Sequence, residues 1–406
     1  MGPEVPGSQR RGGGPRVRIL SFSSCFPSPL DPTAGVFVLR RLKAVATRVP
    51  LEVVHPVPWF PGLDRLRYPE AVLPNREQRE GVTVHHPRFF YFPRMLKRWD
   101  ARFYDLGLRE WLRDHCRQWK PNLFDAHFSW PDGVAVSYLA RRLRIPYTIT
   151  LRGVIIPRYR LRRFRKRLID ALTHASTVIS VDRRMADIAL ELGVPAERVH
   201  VIPNGVDATF FQTLPREQAR ARLGLSQDAR IVVSVGSLEP RKAHESVIEA
   251  LANLDGPVRL IVIGKEIDDG SRLKMLRQLA ADRGIGDRVV FTGRQPPETV
   301  SMYLNAADVS VLASLWEGCP NVVIESLACG TPVVATDVGA VRDLVRPGET
   351  GEIVPVGDKG ALRAALCGVL AREWSREQVR QSVAGRSWDT VAGEVLAVFE
   401  KTLGPK

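Results

Sequence analysis

Residues 314–336 read SLWEGCPNVVIESLACGTPVVAT, and this stretch decides both the expected fold and the expected chemistry. The apolar run at 309–313 before it is typical of a buried parallel strand. A loop with Gly318 and Pro320 follows, and the next residues predict a helix and then a second strand at 332–335. A strand–loop–helix–strand order of this kind predicts one edge of a parallel α/β sheet.

Two carboxylates lie in this unit, Glu317 in the loop and Glu325 in the helix, with seven residues between them. Ionised carboxylates only accept hydrogen bonds, so a pair of them at the carboxyl edge of a parallel sheet suits the hydroxyl groups of a sugar or a ribose. Free backbone N–H groups at the helix start, around Asn321 and Val322, can hold a hydroxyl or a phosphate. The competing interpretation is a buried helix start whose glutamates only cap the helix and contact solvent.

The stretch resembles the donor site of family 4 glycosyltransferases, which are retaining enzymes of the two-domain GT-B fold. The shared pattern is E-G-x-P-x-x-x-x-E followed by A-x-G-x-P-V-V-A, which places Gly318, Pro320 and Gly330 in register. The resemblance implies that Glu317 faces the transferred sugar and that Glu325 takes the ribose hydroxyls of the nucleotide. It also implies an α/β protein with two Rossmann-like, doubly wound domains that face each other across a cleft.

The rest of the chain alternates predicted strands and helices, which favours two doubly wound sheets. We expect an N-terminal acceptor-side domain at 16–206 and a C-terminal nucleotide-sugar-binding domain at 207–385. By the resemblance, the helix predicted at 386–406 crosses back to the first domain. The sequence I-P-N-G-V-D, which marks the passage into the second domain in family 4, is present at 202–207.

Two parts of the first domain are expected to border the cleft. Gly35, in the sequence T-A-G-V-F-V, resembles the acceptor-side loop of GT-B enzymes. A glycine there lets the backbone approach a bound ligand, although a plain turn is the simpler interpretation. Residues 57–102 contain many prolines without clear periodicity, which predicts long loops over the cleft with one short strand at 82–85.

A sugar-nucleotide transferase must neutralise a departing diphosphate, and enzymes without a metal do so with Lys, Arg and helix-terminal amides. The G-R-L-x-x-x-K-G loop of the family is matched at 236–243 by GSLEPRKA, so Lys242 corresponds to the diphosphate lysine. Ser237 stands where arginine is usual, and Arg241 is the residue that can supply the missing charge. Farther along, F-T-G, ending at Gly293, resembles the segment whose backbone reads the nucleotide base.

On the acceptor side, His127 and Asp132 are expected at the mouth of the cleft, and the alternative is a histidine hydrogen-bonded inside its loop. The T-x-H-G sequence of many family members has its histidine near the donor sugar. Here it is matched by T-L-R-G, so Arg152 replaces the histidine. Arginine cannot act as a general base at neutral pH, but it can pair with a phosphate or with a carboxylate on the donor.

The net charge is +15 and the isoelectric point is about 10.0, so an anionic partner is expected. Seven cations lie in the ten residues from Arg158 to Arg167, together with Leu161 and Phe164. This is the composition of a basic amphipathic segment on an anionic membrane surface, where a lipid-linked acceptor would be met. A solvated helix face is the alternative, and nucleic acid is not expected as a partner.

The chain has no apolar run long enough to span a membrane. Residues 1–15 are basic without an apolar segment, which predicts a disordered tail rather than a signal peptide. The five cysteines lack CxxC spacing and favour a reducing cytosol. We therefore expect a cytoplasmic location, with peripheral binding at the inner face of the cell membrane.

Neither a metal nor a cofactor is expected, because the His and Cys residues lack ligand spacing and no GxGxxG, P-loop or nucleophile elbow occurs. The predicted reaction is transfer of a glycosyl group from a UDP- or GDP-sugar to a glycan or lipid-linked acceptor. Alternatives are a nucleotide-sugar epimerase of the same fold and a non-catalytic basic adaptor that binds membranes or RNA. The catalytic candidates are Lys242, Glu317, Arg241 and His127. The residues expected to bind the donor are Glu325, Gly318, Asn321, Val322, Gly293, Gly35 and Arg152.

Overall fold

The computed structural model describes residues 17–60, 73–92, 95–254, 256–267 and 270–404, and the predicted tail at 1–15 lies outside these ranges. The strands within them are β1 (Ile19–Phe22), β2 (Leu51–Val54), β3 (Val57–Trp59), β4 (Arg76–Arg79), β5 (Val82–His85), β6 (Arg88–Phe90), β7 (Leu123–His127), β8 (Tyr147–Leu151), β9 (Thr177–Ser180), β10 (Val199–Val201), β11 (Arg230–Val235), β12 (Val258–Ile263), β13 (Val289–Gly293), β14 (Val309–Leu312), β15 (Val333–Thr336) and β16 (Gly351–Val354). The α-helices are α1 (Val36–Ala46), α2 (Asp100–Trp119), α3 (Val134–Leu143), α4 (Arg162–Thr173), α5 (Arg183–Glu191), α6 (Arg216–Leu223), α7 (His244–Ala252), α8 (Ser271–Asp282), α9 (Pro297–Ala306), α10 (Asn321–Ala328), α11 (Val341–Leu344), α12 (Lys359–Ala371), α13 (Arg376–Gln381) and α14 (Trp388–Leu403).

The first sheet has the strand order β10-β9-β8-β7-β1-β2-β5-β4 and is parallel except for the edge strand β4, which runs antiparallel to β5. Every residue of β7 and β8 is buried, because helices cover both faces of the sheet. One face packs against apolar residues of α2, α3 and α4, and the other packs against α1 and α14. The sheet is therefore doubly wound, as the alternation of strands and helices predicted.

The second sheet has six parallel strands in the order β13-β12-β11-β14-β15-β16. Helices α9, α10 and α13 contribute to the apolar cluster on one face, and α7, α8 and α12 contribute to the cluster on the other. Because β14 lies at the centre between β11 and β15, the loop that follows it opens at the carboxyl edge of the sheet. The predicted glutamate-containing unit is this loop, with α10 and β15 after it.

The chain passes between the two sheets twice, and the two passages touch. Val206 and Ser387 form a parallel bridge, and the backbone N–H of Val206 donates to the carbonyl oxygen of Arg386. After this second passage α14 packs on the first sheet, where Val395 and Phe399 share an apolar cluster with Val38 of α1. The last helix thus completes the core of the first sheet rather than that of the second.

One expectation differs from the observed structure. Residues 57–102 form β3, β4 and β6 in addition to the predicted strand at 82–85. The β4–β5 hairpin turns at Glu80 and Gly81, both with positive φ, and a glutamate gives no signal for such a turn. The final helical stretch is divided into α13 and α14, because Ser387 caps a new helix by accepting from the N–H of Thr390.

Candidate active site

A cleft of about 420 Å³ lies where the carboxyl edges of the two sheets meet. Its lining residues from the first sheet's side include Phe37, Arg152 and Asn204. Those from the second sheet's side include Arg241, Lys242, Glu317, Gly318, Asn321, Val322 and Glu325. Next to it lies a second cavity of about 290 Å³, which shares Phe37, Asn321 and Glu325 with the cleft and adds Arg40. Eight of the eleven predicted site residues therefore line one continuous region.

Glu317 is the centre of an ion cluster in the cleft. Its Oε1 accepts from Lys242 Nζ at 2.5 Å and from Ser314 Oγ at 2.7 Å, and its Oε2 accepts from Arg241 Nη1 at 3.0 Å. Burial opposes ionisation of Glu317, but the charges of Lys242 and Arg241 more than offset it, so its pKa lies below the ordinary value. Arg241 and Lys242, although adjacent in sequence, thus both point at the same carboxylate.

The two loops that carry this cluster are held together by backbone contacts and stacking. The N–H of Leu315 donates to the carbonyl oxygen of Arg241 at 2.8 Å, and the guanidinium of Arg241 lies 5.0 Å from the ring centre of Trp316. Across the cleft, Gly153 and Gly318 face each other, and a Cβ on Gly318 would lie 3.3 Å from the nitrogen of Gly153. A side chain at position 318 would therefore require the facing atoms to shift by a few tenths of an ångström.

Glu325 differs from Glu317 because its carboxylate has no hydrogen-bond or ion-pair partner among the described residues. It lines both cavities, and burial raises its pKa to about 7, with only the charge of Arg40 acting in the opposite direction. Glu325 is half-buried, and a carboxylate so placed without donors is costly to ionise unless a ligand supplies them. The geometry therefore leaves Glu325 free to accept hydrogen bonds from a molecule in the cleft.

A hydrogen-bonded chain crosses the cleft from the first sheet to the start of α10. Arg152 donates from Nε to His127 Nδ1 at 3.1 Å and from Nη1 to Asn204 Oδ1 at 3.0 Å. Asn204 then donates from Nδ2 to Asn321 Oδ1 at 2.8 Å. Asn204 was not singled out from the sequence, although it lies in the matched I-P-N-G-V-D stretch, which was the available signal.

Comparison with known proteins agrees with this arrangement. The model of Glycosyltransferase Family 4 matches residues 66–210, and that of Glycosyl transferases group 1 matches residues 215–386. A putative teichuronic acid biosynthesis glycosyltransferase, TuaC of Bacillus subtilis (strain 168), is 31% identical over 339 residues, with 81% of this chain and 83% of TuaC covered. The chain belongs to glycosyltransferase family 4. Family membership favours glycosyl transfer over the epimerase and adaptor alternatives.

Two solved structures resemble this fold over nearly their whole length. Sucrose-phosphate synthase from Thermosynechococcus elongatus has a TM-score of 0.76 at 23% identity, with 95% of this chain and 98% of that chain covered. HepE from Anabaena, in complex with UDP, has a TM-score of 0.75 at 20% identity, with 95% of this chain and 100% of that chain covered. The fold of this family 4 glycosyltransferase is GT-B.

His127 does not lie at the mouth of the cleft, so that expectation was wrong. Its side chain is fully buried at the end of β7 beneath Arg152, and its Nε2 lies 3.0 Å from Asp125 Oδ2. Burial lowers the pKa of His127 to about 4. Asp132 is also buried and accepts from the backbone N–H and the hydroxyl of Ser24. Neither residue lines the cleft.

The two remaining predicted glycines border the site without lining it. Gly35 has a φ of 61° before α1, and a Cβ there would lie 2.0 Å from the carbonyl oxygen of Cys25, so only glycine fits. Its neighbours Val36 and Phe37 line the second cavity. Gly293 ends β13 with a φ of 70°, and Gln295 beyond it reaches the same cavity.

Among the residues that the structure describes, one group of side chains could hold a metal ion, and none of its members lines the cleft. The donor atoms of Glu52, His85 and His115 are within 4.8 Å of one another. Glu52 Oε2 is 2.8 Å from His85 Nε2 and 3.0 Å from His115 Nε2, so the carboxylate joins α2 to the sheet. No ligand spacing along the chain signals this group, because its members come from β2, β5 and α2.

The unpartnered state of Glu325 predicts a pH-dependent gain in stability for Glu325→Gln. Because the folded-state pKa is raised from 4.5 to about 7, the folded protein loses stability as pH rises through this interval. Gln carries no charge, so the variant should melt at a higher temperature than the wild type at about pH 8 and at a similar temperature at about pH 5. Differential scanning fluorimetry measures this, with Glu400→Gln on the exposed face of α14 as the control. A temperature difference that does not change with pH would contradict the assignment.

Proposed function

We propose that this family 4 enzyme transfers a glycosyl group from a nucleotide-sugar donor to a glycan or lipid-linked acceptor, with retention at the anomeric carbon and without a metal ion. The observation that supports this most is that two carboxylates with different hydrogen-bond surroundings lie in one cleft. Glu317 is held by three donors, whereas Glu325 has none among the described residues. The first arrangement suits a fixed group beside the reacting sugar, and the second suits recognition of ribose hydroxyls.

The cations of the cleft are suited to the departing diphosphate. Lys242 uses one of its three N–H donors on Glu317, so two remain for phosphate oxygens. Arg241 pairs with Glu317 and Glu239 through two of its nitrogens, and its guanidinium adds positive charge to the same cleft. The backbone at the start of α10, at Asn321 and Val322, adds the positive end of a helix dipole. Together these groups supply the charge that a divalent ion would otherwise provide.

Retention follows from a front-face displacement. In this reaction, the acceptor hydroxyl oxygen forms the new bond to the anomeric carbon on the side from which the diphosphate leaves. The bond between that carbon and the diphosphate oxygen breaks, and the hydroxyl proton passes to the departing oxygen. Both cleft carboxylates are assigned to binding in this scheme, so no covalent glycosyl intermediate is formed. His127 takes no part, because it is buried with a lowered pKa beneath Arg152.

Lys242→Ala should lower kcat by about 100-fold or more, because one preorganised charge stabiliser of the leaving group is lost. The measurement is release of nucleoside diphosphate with a transferable donor and acceptor. The exposed Lys274 on α8 is the matched control, and Lys274→Ala should leave kcat unchanged. If Arg241→Ala lowers kcat to this extent while Lys242→Ala has no effect, the diphosphate is bound by Arg241 rather than by Lys242.

Transferase activity should survive treatment with EDTA, because the proposed charge stabilisation comes from Lys242, Arg241 and the α10 amides. The melting temperature is measured in the same samples. Removal of any ion held by Glu52, His85 and His115 would then be detected as a change in melting temperature and would not be mistaken for an effect on the reaction. Activity abolished by EDTA and restored by Mg²⁺, with an unchanged melting temperature, would falsify the metal-free mechanism.

We also propose that the first domain binds an anionic membrane surface at its basic segment, residues 158–167. Arg162, Arg163 and Lys166 are exposed on the first turns of α4. Phe164, by contrast, is only 4% exposed and packs in the core, so the expectation that it contributes to the surface was wrong. No helix of the described ranges is long and apolar enough to cross a membrane.

The exposed apolar residues beside this segment are better suited to a membrane interface. Leu161 is 40% exposed and Trp99 is 39% exposed, and the guanidinium of Arg167 lies 5.2 Å from the ring centre of Trp99. Met95 and Leu96, which shortly precede Trp99 in the chain, are also exposed. Cations with a few exposed apolar groups favour reversible, salt-sensitive binding at the level of the lipid headgroups.

Replacing Arg162, Arg163, Arg165 and Lys166 with Ser should abolish co-sedimentation with vesicles that contain phosphatidylglycerol. Each of these cations contributes on the order of 1 kcal/mol near an anionic surface, and the attraction should fade at high salt. A control variant removes the same charge from the second domain. Its four changes, each to Ser, are at Arg222, Lys274, Arg277 and Arg363, all exposed. Equal sedimentation of the two variants, or equal binding to neutral phosphatidylcholine vesicles, would contradict the proposal.

A further inference from the structure

Arg152 carries a positive charge in the cleft that no described acidic side chain pairs with. Arg152 is only 8% exposed, and its Nη2 is buried without a hydrogen-bond partner among the described residues. Nε and Nη1 donate to the neutral groups of His127 and Asn204. A buried guanidinium with one free edge is destabilising unless a ligand completes its hydrogen bonds.

Asp125, a carboxylate whose charge acts on Arg152, is already used by other residues. Asp125 accepts from Thr148 and Ser21, and its Oδ2 lies 3.0 Å from His127 Nε2. A second buried cation, Arg41, lies on the same side, and its charge adds to the burial that lowers the pKa of Arg152 to about 9. The first domain therefore presents a net positive site at this point of the cleft.

The position of Arg152 is fixed before any ligand binds. Its guanidinium lies 5.1 Å from the ring centre of Phe37, and its two hydrogen bonds hold it from the opposite side. The next residue, Gly153, faces Gly318, which directly follows Glu317. A molecule that contacts Glu317 therefore has Arg152 on the other wall of the same cleft.

We propose that Arg152 binds a carboxylate on the transferred sugar, so that the donor is a nucleotide-activated hexuronic acid. This inference rests on the proposed function, in which Glu317 faces the sugar. The diphosphate is assigned to Lys242 and Arg241 on the opposite loop, which leaves Arg152 for a second oxyanion. A carboxylate matches the planar fork of a guanidinium, whereas a neutral hexose leaves the Nη2 group and the charge without a partner.

The test compares donors that differ only at the sugar carboxylate, using the full chain. Calorimetry gives the dissociation constants of UDP-glucuronic acid and UDP-glucose, and of GDP-mannuronic acid and GDP-mannose. For the nucleotide that binds, the acidic donor should bind about tenfold or more tightly than its neutral partner, because a charge-assisted hydrogen bond is gained. Equal affinity, or a preference for the neutral sugar, would overturn the inference.

Arg152→Gln should remove this preference, measured within the variant as the ratio of its affinities for the acidic donor and for the neutral donor. Arg152→Lys keeps the charge without the planar fork and should retain an intermediate preference. This second variant also serves if the glutamine variant does not fold, as judged by its melting temperature. Arg183→Gln, an exposed change on α5, should leave all affinities unchanged. An acid preference that persists in Arg152→Gln would overturn the assignment.

Two further outcomes separate this inference from the proposed function. If neither nucleoside diphosphates nor their sugars bind, the proposed function itself fails. If neutral donors bind and are transferred as well as acidic ones, only the hexuronate inference fails. A phosphate on a lipid-linked acceptor is the other source of an oxyanion, and citronellyl phosphate with citronellol is the probe pair. Loss of discrimination between those two in Arg152→Gln, without an effect on donor preference, would assign the site to the acceptor and overturn the proposal.

Discussion

The ion cluster around Glu317 is the interaction on which the shape of the site depends. Glu317 is buried, and loss of either Lys242 or Arg241 would remove part of the positive charge that offsets its burial. The cluster fixes the loop after β11 against the loop after β14, two neighbouring strands at the centre of the second sheet. The start of α10 is thereby held in the direction of the cleft before a ligand arrives.

Two groups in this cleft, one acidic and one basic, have no partner of opposite charge among the described residues. Glu325 on α10 lacks donors among the described residues, and Arg152 at the end of β8 lacks an acidic partner there. Each lowers the stability of the unliganded protein, and each becomes favourable when a ligand supplies the missing partner. A molecule that satisfies both would stabilise the folded state through linkage, in proportion to its concentration relative to its dissociation constant.

The sequence was sufficient for the fold and for most cleft residues, because buried parallel strands appear as apolar runs and the glutamate motif has fixed spacing. It was not sufficient for contacts made between distant segments. The end of β7 could be located, but not the fact that His127 points beneath Arg152. The convergence of Arg241 and Lys242 on one carboxylate depends on how two loops meet in space. The Glu52–His85–His115 group could not be predicted for the same reason, because residues from three separate elements form it.

The return of α14 to the first sheet has a consequence for how the protein is made. Val395 and Phe399 complete an apolar cluster that includes Val17 and Ile19, from the opposite end of the described chain. During synthesis, the first domain therefore emerges with part of its core open, and it closes only after the last helix has left the ribosome. Contacts of such large sequence separation form slowly. Until then, the apolar residues of β1 and α1 that share this cluster with α14 remain exposed in the nascent chain. They form the surface through which it would aggregate or engage a chaperone.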